Sequence, residues 1–397
     1  MTSSLKFVQR QPRGELHSSF SSSEAAKVLS FHRSIPGYRP TELQSLKNLA
    51  GYLGIHDLFI KDESSRFGLN AFKVLGGTHC LARVIAGRLG LSEELADFNE
   101  LRQEKYKQKI TAMHFITATD GNHGRGIAWA AKQLGAKATV LMPKGSSEER
   151  LGNIRKLGAE ADITEFNYDD TVRKAAETAK ENNWILVQDT SWDGYEDIPK
   201  LIMQGYLTMA REAVDQLQGK KPTHIFLQAG VGAMAGALSS FFRQFYQEEP
   251  PVISIVEPFA ADCIFKTAEY DDGQLHAVSG DLKTIMAGLA CGEPCSIGWN
   301  EIKASASFYF SISESVGAAG VRILSSPLED DKRILAGESG AAPVGTVFEL
   351  LNNPEYRLIK ERMGIDESSV ILCFLTEGIT DNQSFKEIVW FGKYPSV

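Results

Sequence analysis

Seven short apolar segments recur along the chain, and each ends in a turn that contains glycine or acidic residues. Their sequences are LFIKDES, HFITATDGNHG, ATVLMPKG, WILVQDT, HIFLQAGVG, ISIVEP and VILCFLTEG. The stretches between them repeat apolar residues with the period of an amphipathic helix, as in RGIAWAAKQLG, SEERLGNIRKLG, DDTVRKAAETAKENN and IMQGYLTMAREAVDQLQG. Strands that alternate with such helices are typical of α/β proteins with parallel sheets. The pattern therefore predicts an α/β fold.

The chain has 397 residues, more than one hydrophobic core usually contains, so we predict two domains. The section at residues 78–190 contains its own β-α-β-α-β series, as expected for a small α/β domain inserted into a larger one. The large domain is then formed by residues 1–77 and 191–397. Because ligands bind at the carboxyl ends of parallel strands, the turns at those ends are where we expect the chemistry.

Composition excludes several classes of protein. The net charge of -8 gives no basic surface for nucleic acid, and no apolar run approaches the roughly 18 residues that span a bilayer. The N-terminus lacks the apolar core of a secretory signal, and the five cysteines are few and odd in number. These features predict a cytoplasmic protein without a disulfide framework. The spacing in ACGEPCS has no further ligands to complete a zinc site, so no metal is expected.

The segment NAFKVLGG places Lys73 between Phe72 and Val74, after a polar turn and before two glycines. Such a lysine usually lies on a helix surface, with its stem packed and its ammonium in water. Desolvation can instead lower the pKa of a lysine and make its amine a nucleophile toward carbonyls. The segment alone leaves both interpretations open.

A glycine-rich turn, ATDGNHGRG, connects a predicted strand to a predicted helix. Backbone N–H groups at a helix N-terminus form a site for a carboxylate or phosphate, and Asn122 adds a neutral donor. Asp120 would repel an anion, so it either caps the helix or faces a positive group on the same ligand. His123 is a candidate catalytic group, although a single histidine in a turn more often makes a structural hydrogen bond.

A second glycine-rich turn, LQAGVGAMAGAL, follows a later strand. Gly230, Gly232 and Ala235 fit the G-x-G-x-x-A pattern of dinucleotide sites, and Glu257 ends the next strand. The pattern supports a phosphate cradle of backbone amides, although small residues also permit close packing of a helix on a strand. A nicotinamide-dependent dehydrogenase that uses the glycine loop at 230–236 is therefore one hypothesis.

Taken in order, these segments resemble the fold type II pyridoxal-phosphate enzymes, the group of threonine dehydratase and tryptophan synthase β. NAFKVLGG is similar to their Schiff-base segment, TDGNHGRG to their Ser-x-Gly-Asn-His loop, AGVGAMAG to their phosphate loop and ESGAA to their Glu-x-Ser-Gly-Ala turn. The resemblance runs from about residue 39 to the C-terminus. One departure is PTEL, with Glu42, where the group has Thr-Pro-Leu.

Further segments resemble the diaminopropionate ammonia-lyase family, namely RFGLNAFK, VQDTSWDGYEDIPKLIMQGY, MAGLACGEP and FLTEGITD. The position of Asp120 usually holds serine or threonine in the dehydratases. The resemblance implies pyridoxal 5′-phosphate as cofactor and α,β-elimination of 2,3-diaminopropionate, in both D and L forms, to pyruvate and two ammonia. It also implies that the protein is a homodimer and that its substrate is a small amino acid.

The resemblance also implies a role for each site residue. Lys73 binds the cofactor covalently, Asn122 bonds its 3-hydroxyl, and Thr376 bonds the pyridine nitrogen, with Ser339 as the rival. The other residues expected at the cofactor are Glu338 and the phosphate-binding residues Gly230, Val231, Gly232 and Ala233. The residues expected at the substrate are Thr119, Asp120, Gly121, Asn122 and His123.

Two acids are expected to act with Lys73 in catalysis. Asp120 would bind the β-ammonium or take the α-proton from one face of the substrate, and Lys73 or Asp189 would serve the other face. Considered alone, Asp189 is more typical of a residue that caps a helix or a turn.

Three alternatives remain at this point. A serine or threonine dehydratase of the same fold is opposed by Asp120. The dehydrogenase hypothesis gives no role to Lys73 or to the loop that contains Asn122. A ligand-binding protein that has lost catalysis is opposed by the intact Lys73.

Overall fold

The computed structural model describes residues 3–92, 97–119 and 121–395. Eleven strands are found in these ranges. They are β1 (Leu5–Gln9), β2 (Glu42–Ser45), β3 (Asp57–Asp62), β4 (His114–Ala118), β5 (Lys137–Met142), β6 (Glu160–Ile163), β7 (Ile185–Leu186), β8 (His224–Gln228), β9 (Val252–Pro258), β10 (Phe308–Ile312) and β11 (Val370–Leu375).

The same ranges contain seventeen α-helices. They are α1 (Ser22–Arg33), α2 (Lys47–Leu53), α3 (Lys73–Leu89), α4 (Phe98–Leu101), α5 (Glu104–Thr111), α6 (Asn122–Leu134), α7 (Glu148–Arg155), α8 (Tyr168–Asn182), α9 (Asp197–Gly205), α10 (Leu207–Gln216), α11 (Ala233–Phe245), α12 (Cys263–Tyr270), α13 (Ser296–Ser305), α14 (Glu314–Ser325), α15 (Glu338–Asn352), α16 (Arg357–Met363) and α17 (Asn382–Val389). None of them is both long enough and apolar enough to cross a membrane.

The strands form two sheets. One has seven strands in the order β1-β10-β9-β8-β11-β3-β2, and the other has four in the order β6-β5-β4-β7. All inner pairings are parallel, and only the edge strands β1 and β2 run antiparallel to their neighbours in the described chain. Every residue of β8 and β10 is buried, as expected for parallel strands covered by helices on both faces. The prediction of an α/β fold with mostly parallel sheets is confirmed.

Each of the seven apolar segments contains a strand, whereas the pattern does not predict β1, β2, β6 and β10. Three of these four strands lie at sheet edges, where a strand needs no continuous apolar run. The stretch that begins at Ile202 is another difference, because it lies across two helices, α9 and α10, that meet at Tyr206.

The chain enters and leaves the smaller sheet once. Its strands come from residues 114–186, while β1 to β3 precede them and β8 to β11 follow them in the larger sheet. Helix α3 runs without a break through residues 77 and 78, where the first domain boundary is predicted. The boundaries themselves stay a prediction.

Glycines let three helices meet closely at the start of α3. A Cβ on Gly126 of α6 would lie 3.0 Å from the carbonyl oxygen of Lys73. A Cβ on Gly205 of α9 would lie 2.5 Å from the carbonyl oxygen of Leu75. Because no larger residue fits at either contact, the backbone around Lys73 is held between α6 and α9.

A buried ionic network lies beneath the segment that leads to Lys73. Arg66 bonds Glu63 at 2.8 Å and Glu212 at 2.8 Å, and Lys61 bonds Glu212 at 2.7 Å. All four side chains are at most 3% exposed. Burial favours the neutral form of Glu212, but hydrogen bonds and attraction from Arg66 and Lys61 prevail and lower its pKa to about 2. The network therefore contains fully formed charges that depend on one another.

Glu212→Gln should destabilise the protein strongly. Removing this carboxylate leaves Lys61 and Arg66 buried with too little negative charge, which typically costs about 3–5 kcal/mol. The measurement is the free energy of unfolding in urea. The control is Glu361→Gln, which breaks an exposed pair with Arg357 and should cost less than about 1 kcal/mol. Equal stabilities of the two variants would contradict the importance of the network.

Candidate active site

A cleft of about 740 Å³, including the space at its mouth that is open to solvent, lies where the carboxyl ends of the two sheets face each other. Its wall includes residues that follow β4, β8 and β11. The predicted site residues that line it are Lys73, Thr119, Asn122, His123, Asp189, Gly230, Val231, Gly232, Ala233, Ser339 and Thr376. Asp120 lies outside the described residues. The turns named from the sequence therefore converge on one place.

Lys73 is the first residue of α3, and its backbone is tied to the end of β11. The N–H of Phe72 donates to the carbonyl of Thr376 at 3.0 Å, and Ala71 pairs with Glu377. The side chain of Lys73 is 19% exposed, and its ammonium donates to a carboxylate oxygen of Asp189. Lys73 thus lies in the cleft and not on the solvent face of its helix.

Asp189 is buried opposite Lys73, three residues after β7. Its Oδ1 accepts from the hydroxyl of Tyr168 at 3.2 Å, and its Oδ2 lies 3.9 Å from Nδ1 of His123. Burial favours the neutral acid, but attraction from Lys73 and His123 and hydrogen bonds from Lys73 and Tyr168 outweigh it. The pKa of Asp189 is therefore held well below its usual range, and the carboxylate stays ionised.

Gln188 and Tyr168 support Asp189, and the sequence analysis missed both. The amide nitrogen of Gln188 donates to the Tyr168 hydroxyl at 3.0 Å and to the Ala118 carbonyl at 3.1 Å. The amide oxygen accepts from the Ala118 N–H at 3.0 Å. Gln188 thereby fixes the direction in which Tyr168 meets the carboxylate. Its position beside Asp189 was the one available signal, whereas nothing in an amphipathic helix distinguishes Tyr168.

The first glycine turn opens α6 at Asn122. The hydroxyl oxygen of Thr119 accepts from the N–H groups of Gly121 at 2.9 Å and Gly124 at 3.1 Å. The amide of Asn122 donates to the carboxylate of Glu377. His123 is buried, and its Nε2 lies 2.9 Å from the Val187 carbonyl, to which it can only donate. The histidine therefore makes a structural hydrogen bond while it also lines the cleft.

The second glycine turn forms a cradle at the start of α11. Gly232 caps the helix with φ +93°, a left-handed conformation that favours glycine. The Gly236 N–H donates to the Gly232 carbonyl at 2.8 Å, so the N–H groups at 233–235 precede the first helical hydrogen bond. A Cβ on Gly230 would lie 3.1 Å from the sulfur of Cys291. The cradle therefore has room only for bare backbone, with its amides available to an anion.

Two hydroxyls, those of Thr376 and Ser339, line the cleft wall. The Thr376 oxygen accepts from the amide nitrogen of Gln228 at 2.8 Å. The Ser339 oxygen accepts from the N–H of Gly288 at 3.0 Å. Each hydroxyl can therefore still donate its own proton. Gln228 is a third residue, after Gln188 and Tyr168, that the sequence does not single out.

The comparisons with known proteins point to one chemistry. A family model described as pyridoxal-phosphate dependent enzyme matches residues 35–357. Diaminopropionate ammonia-lyase of Salmonella typhimurium is 48% identical over 371 residues, which cover 92% of this chain and 92% of the relative. The chain belongs to this family of pyridoxal-phosphate-dependent enzymes.

Two crystal structures of diaminopropionate ammonia-lyase from Escherichia coli have the same fold. One is in complex with an aminoacrylate–pyridoxal-phosphate azomethine reaction intermediate, with TM-score 0.91, 43% identity and coverage of 98% of both chains. The other is in complex with D-serine, with TM-score 0.92, 42% identity and coverage of 98% of both chains. The fold type II prediction is thereby confirmed.

The residues present fit pyridoxal 5′-phosphate. The cradle at 230–233 offers backbone amides at a helix start, with no Cβ at Gly230 and Gly232, where a side chain would be crowded. Lys73 supplies an amine inside the cleft, and Thr376 supplies a hydroxyl donor. In addition, Oε1 of Gln228 is buried without a hydrogen-bond partner among the described residues. Together these protein groups suit a ring that carries a phosphate and an aldehyde.

The structure argues against the dehydrogenase hypothesis, because the acidic residue that it requires makes other contacts. Glu257 is buried, and its two oxygens accept from the N–H groups of Ile264 at 2.9 Å and Phe265 at 2.6 Å. Burial raises the pKa of Glu257 well above its usual value. The carboxyl group therefore closes the start of α12 and is not available to the ribose of a dinucleotide.

The structure places Glu338 away from the cleft wall that its neighbour Ser339 lines. Glu338 is buried, and its carboxylate accepts from the hydroxyl of Ser384. Burial is the main cause that raises its pKa to about 7, and repulsion by Glu377 adds to it, while hydrogen bonding from Ser384 and attraction from Arg150 oppose it. Glu338 is not among the residues that line the cleft, and its contact with the cofactor stays a prediction.

Glu338→Gln should become increasingly stabilising as pH rises. The folded protein holds the Glu338 proton to about pH 7, whereas an unfolded glutamate releases it near pH 4.3. The native protein therefore loses stability across that window, and the glutamine variant does not. The expected gain reaches about 3 kcal/mol at neutral pH, measured by urea unfolding at several pH values. Glu355→Gln, at an exposed glutamate, is the control, and the same trend in both variants would contradict the assignment.

Proposed function

We infer that the protein is a pyridoxal 5′-phosphate-dependent lyase that eliminates ammonia from 2,3-diaminopropionate. The observation that carries this inference is the amine of Lys73 held beside the buried, ionised Asp189 in a cleft with a phosphate cradle. The relative with 48% identity supports the substrate, because its name states that activity. One water is taken up, and pyruvate and two ammonia are released.

We assign the cofactor contacts to residues of the cleft wall. Lys73 would hold the cofactor covalently, the backbone amides at 230–233 would bind its phosphate, and Asn122 would bond its 3-hydroxyl. Thr376 would bond the ring nitrogen, with Ser339 as the alternative. When bound, the cofactor makes the α-proton acidic by delocalising the electron pair left behind.

Asp189 is suited to hold a cation close to the reacting atoms. Its carboxylate remains ionised at neutral pH, and Tyr168 and Lys73 bond one oxygen each. The substrate carries a β-ammonium where serine carries a hydroxyl, so a carboxylate favours the diamino acid by direct charge attraction. The amine of Lys73 can take or return the α-proton on its own face.

Both enantiomers can react if each face of the substrate has a proton acceptor. Lys73 and Asp189 lie together, and we assign the opposite face to Asp120, as the sequence suggests. The binding of D-serine by the Escherichia coli lyase supports access for a D-amino acid. We further propose that the protein acts in the cytoplasm as a homodimer. Its five cysteines, all buried and free, agree with a reducing compartment.

The purified protein should show the absorbance of a lysine-bound cofactor and should release pyruvate from both D- and L-2,3-diaminopropionate. The band should disappear in Lys73→Ala while the fold, followed by circular dichroism, is retained. L-serine and L-threonine serve as competing substrates in the same assay. Turnover of these hydroxy amino acids alone would instead support a dehydratase, and the lack of any band after pyridoxal phosphate is supplied would refute the function.

Asp189→Asn should lower kcat/KM about 10²- to 10⁴-fold, because the amine of Lys73, which handles the α-proton, loses the carboxylate that holds it. Asp120→Asn should impair one enantiomer more than the other, because it serves one face of the substrate. Two constants, kcat and kcat/KM, are measured with each enantiomer separately. The control is Asp170→Asn, at an exposed aspartate near the start of α8, which should leave both constants unchanged. Equal losses for the two enantiomers in Asp120→Asn would disprove the assignment of faces.

A further inference from the structure

Gln228, the last residue of β8, is 1% exposed and lines the cleft. Its Nε2 lies 2.9 Å from the carbonyl of Phe374, 2.8 Å from the hydroxyl of Thr376 and 3.3 Å from the carbonyl of Ser339. Two of these partners are backbone carbonyls, which can only accept hydrogen bonds. They determine which end of the amide faces them, because a reversed amide would set its oxygen against two other oxygens. The nitrogen of Gln228 therefore also faces Thr376.

This geometry determines what the Thr376 hydroxyl can do. Its oxygen accepts a hydrogen bond from the amide N–H of Gln228, so its own O–H has to point to another acceptor. Within residues 3–92, 97–119 and 121–395, no acceptor receives it. The backbone of Thr376 is held by the N–H of Phe72, and a β-branched side chain has few rotamers. Thr376 is thus a donor with a defined position at the cleft wall.

We propose that Gln228 is a positioning residue that makes the Thr376 hydroxyl an obligatory donor to the ring nitrogen of the cofactor. A nitrogen that accepts this hydrogen bond stays unprotonated and withdraws electrons less strongly from the reacting carbon. That condition suits a reaction that expels its leaving group promptly. The proposal rests on the function inferred above and deepens it by naming the residue that sets the donor.

Ser339 offers the competing donor, and the two differ in what orients them. The Ser339 oxygen accepts from the backbone N–H of Gly288, so its direction does not depend on a long side chain. The Thr376 oxygen depends on the amide of Gln228. Substitution of Gln228 therefore acts directly on the hydroxyl of Thr376, whereas it touches Ser339 only at its backbone carbonyl, 3.3 Å away. The variants of Thr376 and Ser339 then show which hydroxyl contacts the ring nitrogen.

The test compares two ligands of the apoprotein by titration of absorbance and fluorescence. One is pyridoxal 5′-phosphate, and the other is its carbocyclic analogue, in which a C–H replaces the ring nitrogen. The native protein should prefer the nitrogen-containing ligand roughly tenfold, the usual value of one hydrogen bond. Gln228→Met and Thr376→Val should each reduce the preference to about threefold or less.

Two control variants should keep the native preference for pyridoxal 5′-phosphate over its carbocyclic analogue. Gln204→Met removes another buried glutamine amide, which lies on α9 and contacts the carbonyl of Ser19 at 3.5 Å. Ser339→Ala removes the competing hydroxyl. Circular dichroism checks the fold, and Gln228→Leu serves as the second variant if Gln228→Met does not fold. It removes the amide N–H that bonds Thr376 and leaves an apolar side chain of similar size.

Each outcome has a definite meaning. A native preference in a folded Gln228 variant overturns the positioning role. A preference lost in Ser339→Ala but kept in Thr376→Val also overturns it, because Ser339 then bonds the ring. If the native apoprotein binds neither ligand, the proposed function itself fails, so the two failures are distinguishable.

Discussion

The ion pair between Lys73 and Asp189 is the contact on which the active site depends. Lys73 follows a segment tied to the end of β11 in the larger sheet, while Asp189 follows β7 in the smaller one. Asp189 is buried, so its charge is tolerable only with a cation and hydrogen-bond donors beside it. The pair therefore requires the two sheets to present their carboxyl ends to each other, and the cleft is the space that this arrangement leaves.

The environment gives the buried carboxyl groups of this protein different charge states. Asp189 and Glu212 contact cations, and their pKa values are lowered. Glu257 and Glu338 directly contact neutral donors, namely N–H and S–H groups at Glu257 and an O–H group at Glu338, and burial raises their pKa values. Attraction by a neighbouring cation thus overcomes the cost of burial, whereas these neutral hydrogen bonds do not. Among these four groups, only Asp189 lines the cleft, and it is held in the ionised form that can bind an ammonium group.

The sequence motifs predict much of the site, because each motif consists of a few consecutive residues. Lys73 next to a turn, Asn122 at a helix start and the glycines at 230 and 232 are defined by a few consecutive residues, and the structure brings all of them to the cleft. Tyr168 and Gln228 carry no such local signal. Their functional partners lie 21 and 148 residues away along the chain, at Asp189 and Thr376, so their importance appears only when distant strands and helices pack together.

The sequence by itself determined the alternation of strands and helices and the two glycine turns, because periodicity and backbone freedom are properties of short segments. Tertiary structure alone decided the direction of each side chain. It turned Glu338 away from the cleft toward Ser384, placed Glu257 on the start of α12 and set Gln228 against Thr376. Hydrogen bonds between distant residues depend on how sheets and helices pack, and no local pattern of residues specifies that packing.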